Sequence, residues 1–561
     1  MGRLRGMRVR NYRSIGGWVD VRLPERGPLV LMGENNAGKS NLVQALDLVL
    51  GESWPGSFHP EEHDFHGRDR NAVPMQIQLD VSDVWHAGRY DSFEVRQVSW
   101  RFDPQESERP CAFDVFDANG RSSWASNADR EQLACVVVGA DRRLGYQLSY
   151  TSKWTLLSRL MRKFHERLVE DPERTERLRA RFDEVVVIFH EVEAFQLFGR
   201  ELQDMAGELA ANLRYGLDLD FSAYDPSNYF RSLRVHPTHG GEVRSFDELG
   251  TGQEQILAVA FAYAYARAYG EGDGGLVIVI EEPEAHLHPL AQQWLARKIA
   301  ALGDRGVQVI VTTHSPAFVD LSETSRLACV RKPSVDGATT VVQHSERSLA
   351  EHCRERGAAK ADERSVGPFY AASATDQHVA GLFARACVVV EGPTEALAFP
   401  ILLSAVGTDP LELGIAVIPA GGIGGIARWL RLYSAYEIPA MAIFDLDSSD
   451  DRDGLKRAEL LNTLGEEPYR YQALVTAGAP IAVREGYAVF SEDFERAMRV
   501  LFPEVYAHHE EAAGAELGTT KPLVARAACR RLAGELALPG WENLKPLASA
   551  VANLVRASKP R

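Results

Sequence analysis

The chain has 561 residues, 45% of them hydrophobic and 25% charged, with a formal net charge of −16. A chain of this length exceeds what one hydrophobic core sustains, so two or three domains are expected, and the composition excludes a disordered, fibrous or collagen-like protein. The acidic balance excludes a protein that coats nucleic acid non-specifically, although Arg residues lining a groove would still admit DNA as a substrate.

No run approaches the roughly 20 consecutive apolar residues that a membrane-spanning helix needs. The Arg-rich start MGRLRGMRVR leads into strand-like sequence rather than an apolar leader, so a soluble cytoplasmic protein without a membrane partner is expected. The cysteines Cys111, Cys135, Cys329, Cys353, Cys387 and Cys529 lie far apart with no CxxC pair, which argues against a disulfide framework and a structural zinc site.

Alternation in MRVRNYRSI and WVDVRL predicts half-buried strands, and PLVLM predicts a buried one. Between PLVLM and the apolar helix SNLVQALDLVL stands Gly33-Glu34-Asn35-Asn36-Ala37-Gly38-Lys39-Ser40, which fits GxxxxGK[ST]. Backbone N–H groups of such a loop cradle phosphates at a helix N-terminus. Gly33, Asn35, Asn36 and Gly38 are therefore candidate ATP contacts, with Lys39 reaching the terminal phosphates and Ser40 holding Mg²⁺. The histidines of HPEEHDFH, His59, His63 and His66, do not have metal-site spacing, and Pro60 argues for a loop. Asp64 and Phe65 are placed in the loop flanking the nucleotide site.

Alternating runs from Met75 to about Tyr150 predict a strand-rich lobe. Between about Trp154 and Ala211 the apolar spacing changes to three and four residues, which predicts a helical insertion. Strands LVIVI (276–280) and VQVIVTT (307–313) flank the helix LAQQWLARKIAAL, an α/β pattern. Glu281 and Glu282 close LVIVI at the Walker B position, where one acid binds Mg²⁺ through water and the next polarises the attacking water. Glu281 stands where Asp is usual. His314, after VQVIVTT, is placed to contact the γ-phosphate.

Upstream of this position, Leu249-Gly250-Thr251-Gly252-Gln253 opens an apolar helix. With EEPEAHLHP, it makes the region resemble ABC ATPases of the RecF and SMC-like branch. The resemblance implies that Gly250, Thr251 and Gly252 contact the nucleotide of an opposite subunit, hence a homodimer or higher homo-oligomer. Thr251 supplies the hydroxyl where those ATPases carry Ser, so slow hydrolysis is expected.

Residues 346–384, rich in charge and small side chains, are expected to be a linker. Beyond it ACVVV, GIAVIPA and PAMAIFDLD predict buried strands alternating with helices, a second α/β domain. Glu391 ends the first strand with Glu395 one helical turn later, and Asp445 and Asp447 end another, where alternation sends both to one side. Hard oxygen donors of this kind suit Mg²⁺ or Mn²⁺. A strand-end Glu followed by a strand-end DxD resembles Toprim domains, which bind Mg²⁺ to cut or join phosphodiesters.

An ABC-type ATPase followed in one chain by a Toprim domain resembles the OLD family of nucleases, which includes the nuclease subunit of Gabija-type anti-phage systems. The resemblance implies a two-metal site completed by a later acidic pair and a Lys. Asp493 and Glu495 match the pair, and Lys521 is chosen for the Lys, with Lys545 as the other candidate. The implied catalytic set is Glu391, Asp445, Asp447 and Lys521, with Glu282 for ATP, and the metal ligands are Glu391, Glu395, Asp445, Asp447, Asp493 and Glu495.

The expected architecture is therefore α/β: an ATPase in two parts (1–154 and 216–345), a helical insertion for dimerisation (155–215), the linker, and a Toprim domain (385–561). The expected function is ATP-binding, metal-dependent DNA cleavage in anti-phage defence or DNA repair, with a helicase as a possible partner. The alternatives are a non-catalytic RecF/SMC-like DNA-repair ATPase and, since both use Toprim, a primase or topoisomerase. The absence of zinc-ribbon cysteines speaks against the primase, and the short region after the DxD against a large topoisomerase.

Overall fold

The structure is a computed structural model that describes residues 2–139 with short gaps, most of 148–200, scattered residues of 238–264, and 275–557 with gaps that include 333–336, 447–450 and 473–478. The chain divides into two compact units, Met1–Cys135 with Glu271–Arg561, and Val136–Gly270. In the second unit the expected insertion shows helices Leu156–Val169 and Pro172–His190. Among the described residues, no helix is long and apolar enough to cross a membrane.

The first unit opens with β1 (Arg3–Arg10), β2 (Val19–Arg22), β3 (Leu29–Met32) and α1 (Lys39–Leu50). Strands β4 (Met75–Ala87), β5 (Ser92–Phe102), β6 (Cys111–Phe116) and β7 (Ser122–Trp124) follow. They form an antiparallel sheet in the order β2-β1-β4-β5-β6-β7, the strand-rich lobe expected from alternation. In β4 the inward side chains Met75, Ile77 and Leu79 are fully buried while their neighbours are half-exposed, as a sheet with one covered face requires.

Strand β3 belongs instead to a second, mostly parallel sheet. It lies between β9 (Gln308–Thr313) and β10 (Leu327–Arg331), with β8 (Leu276–Glu281) beyond β9 and β11 (Thr340–Gln343) antiparallel on β10. Helix α2 (Pro289–Asp304) makes the crossover from β8 to β9. The strand before the phosphate-binding loop and the strand carrying Glu281 are thus separated by the strand that leads to His314.

The segment 346–384 is not a loose linker. It folds into α3 (Glu346–Glu355), α4 (Val366–Ser373) and α5 (Asp376–Ala380), and it buries Leu349, Cys353, Tyr370 and Leu382 at 2% exposure or less. Charged and small residues dominate its composition and mask the apolar positions, which recur at Leu349, Ala350 and Cys353 on one face of α3. One continuous core runs from Val30, Met32 and Cys329 through Leu349 and Tyr370 to Cys387, Val389, Trp429 and Phe444. The sheet that holds β3 and the C-terminal sheet therefore share packing through these helices.

The C-terminal sheet is built from β12 (Ala386–Val390), α6 (Pro393–Ala405), β13 (Ile415–Pro419), α7 (Ile423–Ala435), β14 (Ala440–Asp445), α8 (Leu455–Leu464), β15 (Ile481–Arg484) and β16 (Tyr487–Phe490). Its order is β13-β12-β14-β16-β15, parallel except for the edge strand β15. Both faces are covered. In β12, Cys387 and Val389 enter the core shared with the sheet that holds β3, whereas Ala386, Val388 and Val390 enter a second core with Phe399, Phe490 and Phe494. That second core is closed by α9 (Phe494–Leu501), α10 (Val505–Leu517), α11 (Lys521–Leu532) and α12 (Lys545–Ala557).

Candidate functional site

The phosphate-binding loop joins β3 to α1, as the sequence requires. Gly33 has φ +149° and Gly38 φ +111°, and a Cβ at these positions would come within 2.1 Å of the Val330 carbonyl and 2.2 Å of Thr339 Oγ1. Only glycine fits either place. Thr339 braces the loop further, since its hydroxyl donates to the Ala37 carbonyl at 2.8 Å and lies 2.7 Å from Ser14 Oγ. Lys39 is buried and donates to the carbonyls of Gly33 and Glu34, each at 3.0 Å, and its ammonium lies 3.5 Å from His314 Nδ1. Asn36 accepts a 3.4 Å hydrogen bond from Lys332. Asp64 is buried 3.1 Å from Arg13 Nε, and His63 is an exposed partner of Glu61 and Asp64.

The acidic wall of this site follows from strand register. Glu281 ends β8 opposite Thr312 of β9, and Glu282 follows in a left-handed conformation, φ +46°, its N–H donating to the Thr312 carbonyl at 2.9 Å. Backbone strain at a non-glycine residue beside a charged cluster is a mark of functional sites. Glu282 Oε1 lies 3.5 Å from His314 Nε2. Glu284, to which the sequence reading gave no role, accepts the His314 N–H at 2.5 Å and keeps Oε2 buried with no partner among the described residues. No short motif signals that contact, because it joins the ends of two different strands. Gly250, Thr251 and Gly252 lie outside the described residues.

Burial lowers the Lys39 ammonium to about 8, with Glu282 and Glu284 partly offsetting it. Burial also lowers His314, and the Lys39 charge adds to the effect. Below pH 8 Lys39 is charged before a nucleotide arrives. Above it, binding must take up a proton, so ATP affinity should weaken as pH rises, by about tenfold per unit well above 8. Titration calorimetry at pH 7 to 9.5 checks this, and a Kd that stays constant across that range would contradict it.

A second set of charges gathers where three neighbouring parallel strands end. Strand β12 delivers Glu391, β14 delivers Asp445, and β16, paired with β14 through Asp445 and Phe490, leads to Asp493 and Glu495 at the start of α9. Ligand sites of parallel sheets lie at this end of the strands. The Asp445 N–H donates to Glu391 Oε2 at 3.3 Å, and Glu395 Oε2 accepts the Gly392 N–H at 2.8 Å. Asp493 caps α9 by accepting the Arg496 N–H at 2.8 Å. Asp445 Oδ1 and Glu495 Oε1 are buried and have no hydrogen-bond partner among the described residues.

Burial, then the charges of Glu395, Glu391, Asp493 and Glu495, push the Asp445 carboxyl up to about 8. Burial and Glu495 also raise Glu395. Carboxylates from two strand ends and two helices therefore act on one another in a shielded pocket. As they stand, no three or more His, Cys, Asp or Glu residues among those described are close enough to hold an ion. Asp447 lies outside the described residues. Asp451, in the same acidic run, is buried and accepts the N–H groups of Lys456 and Arg457 at 2.9 and 3.0 Å, capping α8.

The two lysines named from the sequence part company here. Lys521 begins α11 with its ammonium 3.0 Å from Glu495 Oε2. Burial opposes its charge, but the Glu495 hydrogen bond prevails and raises it. Lys545 instead pairs with Glu542 at 2.6 Å.

Two family models match the chain. One, described as an AAA domain, covers residues 137–320, which include Glu281, Glu282 and His314 but not the phosphate-binding loop. The other, the TOPRIM domain of overcoming lysogenization defect-like proteins, covers 382–447 and so includes Glu391, Glu395, Asp445 and Asp447, with Asp493, Glu495 and Lys521 beyond it. The chain is 25% identical over 484 residues to an OLD nuclease of Thermus scotoductus, covering 83% of this chain and 87% of that protein. It is 23% identical over 196 residues to the Old nuclease of Escherichia phage P2, covering 33% of this chain and 30% of that one. An Smc head domain derived from Pyrococcus furiosus is 15% identical with a TM-score of 0.36, covering 63% of this chain and 98% of that one. The chain thus carries an ATPase domain followed by an OLD-like TOPRIM domain, and it resembles the OLD nucleases along most of its length.

Proposed function

We propose that the protein is an ATP-binding, divalent-metal-dependent DNA endonuclease whose cleavage centre lies at the ends of β12, β14 and β16. The observation that carries this reading is the convergence of Glu391, Glu395, Asp493 and Glu495 on Asp445, with buried carboxylate oxygens left unpartnered. Buried acceptors without donors are costly. Mutually repelling carboxylates in a shielded pocket are costly as well. An all-oxygen donor set of this kind fits Mg²⁺ or Mn²⁺.

Glu391, Glu395, Asp445, Asp447, Asp493 and Glu495 would hold the ions between them. Bound there, such ions supply an activated water and stabilise the leaving oxygen of a phosphodiester. Lys521, fixed by Glu495, presents a positive charge to the developing charge on the phosphate, and its place beside the cluster favours it over Lys545. Without cations the same carboxylates would repel DNA, so a DNA-binding domain with no catalytic role leaves them unexplained.

In the ATPase domain Lys39 and Ser40 would bind the phosphates and their Mg²⁺, and Glu282 would orient the attacking water while His314 contacts the γ-phosphate. Thr251 and Gly252 would complete this site from a second copy of the chain, with the helical insertion holding the assembly together. The OLD-nuclease relatives support the nuclease part of this reading; a role in anti-phage defence or DNA repair, with a helicase as a candidate partner, is carried over as an expectation from the family resemblance.

Incubation of the purified protein with supercoiled plasmid tests the reading. Conversion to nicked or linear DNA is expected with Mg²⁺ or Mn²⁺ and is abolished by EDTA. Plasmid left intact with both metals, or cut equally in EDTA, would refute it.

A further inference from the structure

Resting on the reading of the C-terminal site as a nuclease centre, we propose that Arg457 is a positioning residue of that centre, holding the strand end that carries Asp445 in the direction from which it meets a bound cation. Arg457 lies in the first turn of α8, and its Nη2 donates to the Leu446 carbonyl at 2.7 Å. Leu446 follows Asp445 directly, and its N–H donates to the Phe490 carbonyl of β16 at 3.0 Å. With both polar groups engaged, the planar peptides on either side of Leu446 are fixed, so the end of β14 cannot unwind back through Asp445.

The guanidinium is itself held in place. Asp451 is buried and accepts the N–H groups of Lys456 and Arg457 at 2.9 and 3.0 Å, which anchors the backbone from which Arg457 reaches back to Leu446. Arg457 also lies beside the Tyr471 hydroxyl and offsets part of the rise that burial gives it. The Tyr471 ring stacks on Phe444, the residue before Asp445, with 6.4 Å between centroids. Arg457 and Tyr471 thus brace the chain after and before Asp445.

Stability alone does not account for the contact. A carbonyl at a strand end can be satisfied by water. Here a charged side chain is committed to it, while the Nε of that side chain stays buried without a hydrogen-bond partner among the described residues, which is costly. The guanidinium meets a carbonyl rather than a carboxylate, so it takes no acid oxygen from a cation. Groups that hold metal ligands in place typically set metal affinity or activity by about 10- to 100-fold.

The test compares wild type with Arg457→Met, which keeps an aliphatic stem without donors, and Arg457→Gln, whose amide is too short to reach the carbonyl. Leu461→Ala serves as the control, since it removes buried packing from the same helix without touching Leu446. Three properties are measured: the Mn²⁺ concentration that gives half the maximal rise in Tm, and kcat and KM for DNA cleavage at fixed Mn²⁺. Both Arg457 variants should raise the Mn²⁺ midpoint and lower kcat, each by about 10- to 100-fold, with KM for DNA unchanged and part of kcat restored by excess Mn²⁺. Leu461→Ala should lower Tm and leave the Mn²⁺ midpoint where it is in wild type.

A wild-type Mn²⁺ midpoint in the Arg457 variants overturns the positioning role while leaving the nuclease reading in place. An equal shift of the midpoint in Leu461→Ala also overturns it, because loosening of the helix would then be the cause. So does a raised KM with unchanged kcat, which would make Arg457 a contact for DNA, or failure of both Arg457 variants to fold, which would make it a support of the fold. A wild-type protein that neither responds to Mn²⁺ nor cuts DNA fails the nuclease reading, and the role of Arg457 falls with it.

Discussion

Asp445→Asn should abolish DNA cleavage, lowering the rate at least about 10³-fold, while ATP binding stays unchanged. The substitution keeps size and removes charge at the residue on which four other carboxylates act. A centre that loses a cation loses both its activated water and the neutralisation of the leaving oxygen, together worth several kcal/mol of barrier.

Stability separates this outcome from a packing defect. The folded Asp445 carboxyl sits at about 8 against an ordinary value of 3.8. A group raised in this way contributes stability that is fully present below its unfolded value and is lost as pH rises through its folded value. Metal-free wild type should therefore lose stability between about pH 4 and 8, and Asp445→Asn should lose less across that window. At pH 8 without metal the variant should melt no lower than wild type, and it should fail to gain the wild-type rise in Tm with Mn²⁺. Wild-type nicking by the variant in both metals would sink the assignment of the metal site, because a merely solvated acidic turn predicts that result.

Lys39→Ala should weaken ATP binding by at least about 100-fold, since the charge proposed to meet the terminal phosphates is lost from a buried position. Among the described residues, the Lys39 ammonium contacts the carbonyls of Gly33 and Glu34 and the ring of His314, all within the proposed nucleotide site. The Mn²⁺ response of the C-terminal site and cleavage without nucleotide should therefore survive. This expectation holds although the two sheets share a core, because the side chains that form that core do not include Lys39. Isothermal titration with ATP, and thermal melts with Mn²⁺, provide the comparison. Collapse of the Mn²⁺ response in Lys39→Ala would show that the sites are not independent.

The glycine-rich loop was legible because its residues are contiguous in the chain. A glycine-rich loop between a buried strand and a helix fixes its own backbone, and Gly33 and Gly38 take the conformations that only glycine accepts. Strand-end acids are legible for a similar reason. In a parallel sheet covered on both faces, the residue that follows an apolar run emerges at the carboxyl edge, which puts Glu391 and Asp445 at one edge of adjacent strands.

What the sequence could not reveal depends on contacts between residues far apart in the chain. Nothing local distinguishes Lys521 from Lys545, and only the packing of α11 against α6 and α10 sets one beside Glu495 while the other pairs with Glu542. The hold of Glu284 on His314 and the brace of Thr339 on the phosphate-binding loop join segments about 30 and 300 residues apart. The apparent linker at 346–384 was misread because composition reports charge, whereas folding responds to where the few apolar side chains fall. Once β10 and β12 are in place, Leu349, Tyr370 and Leu382 have a core to enter, and the segment becomes the packing between two sheets.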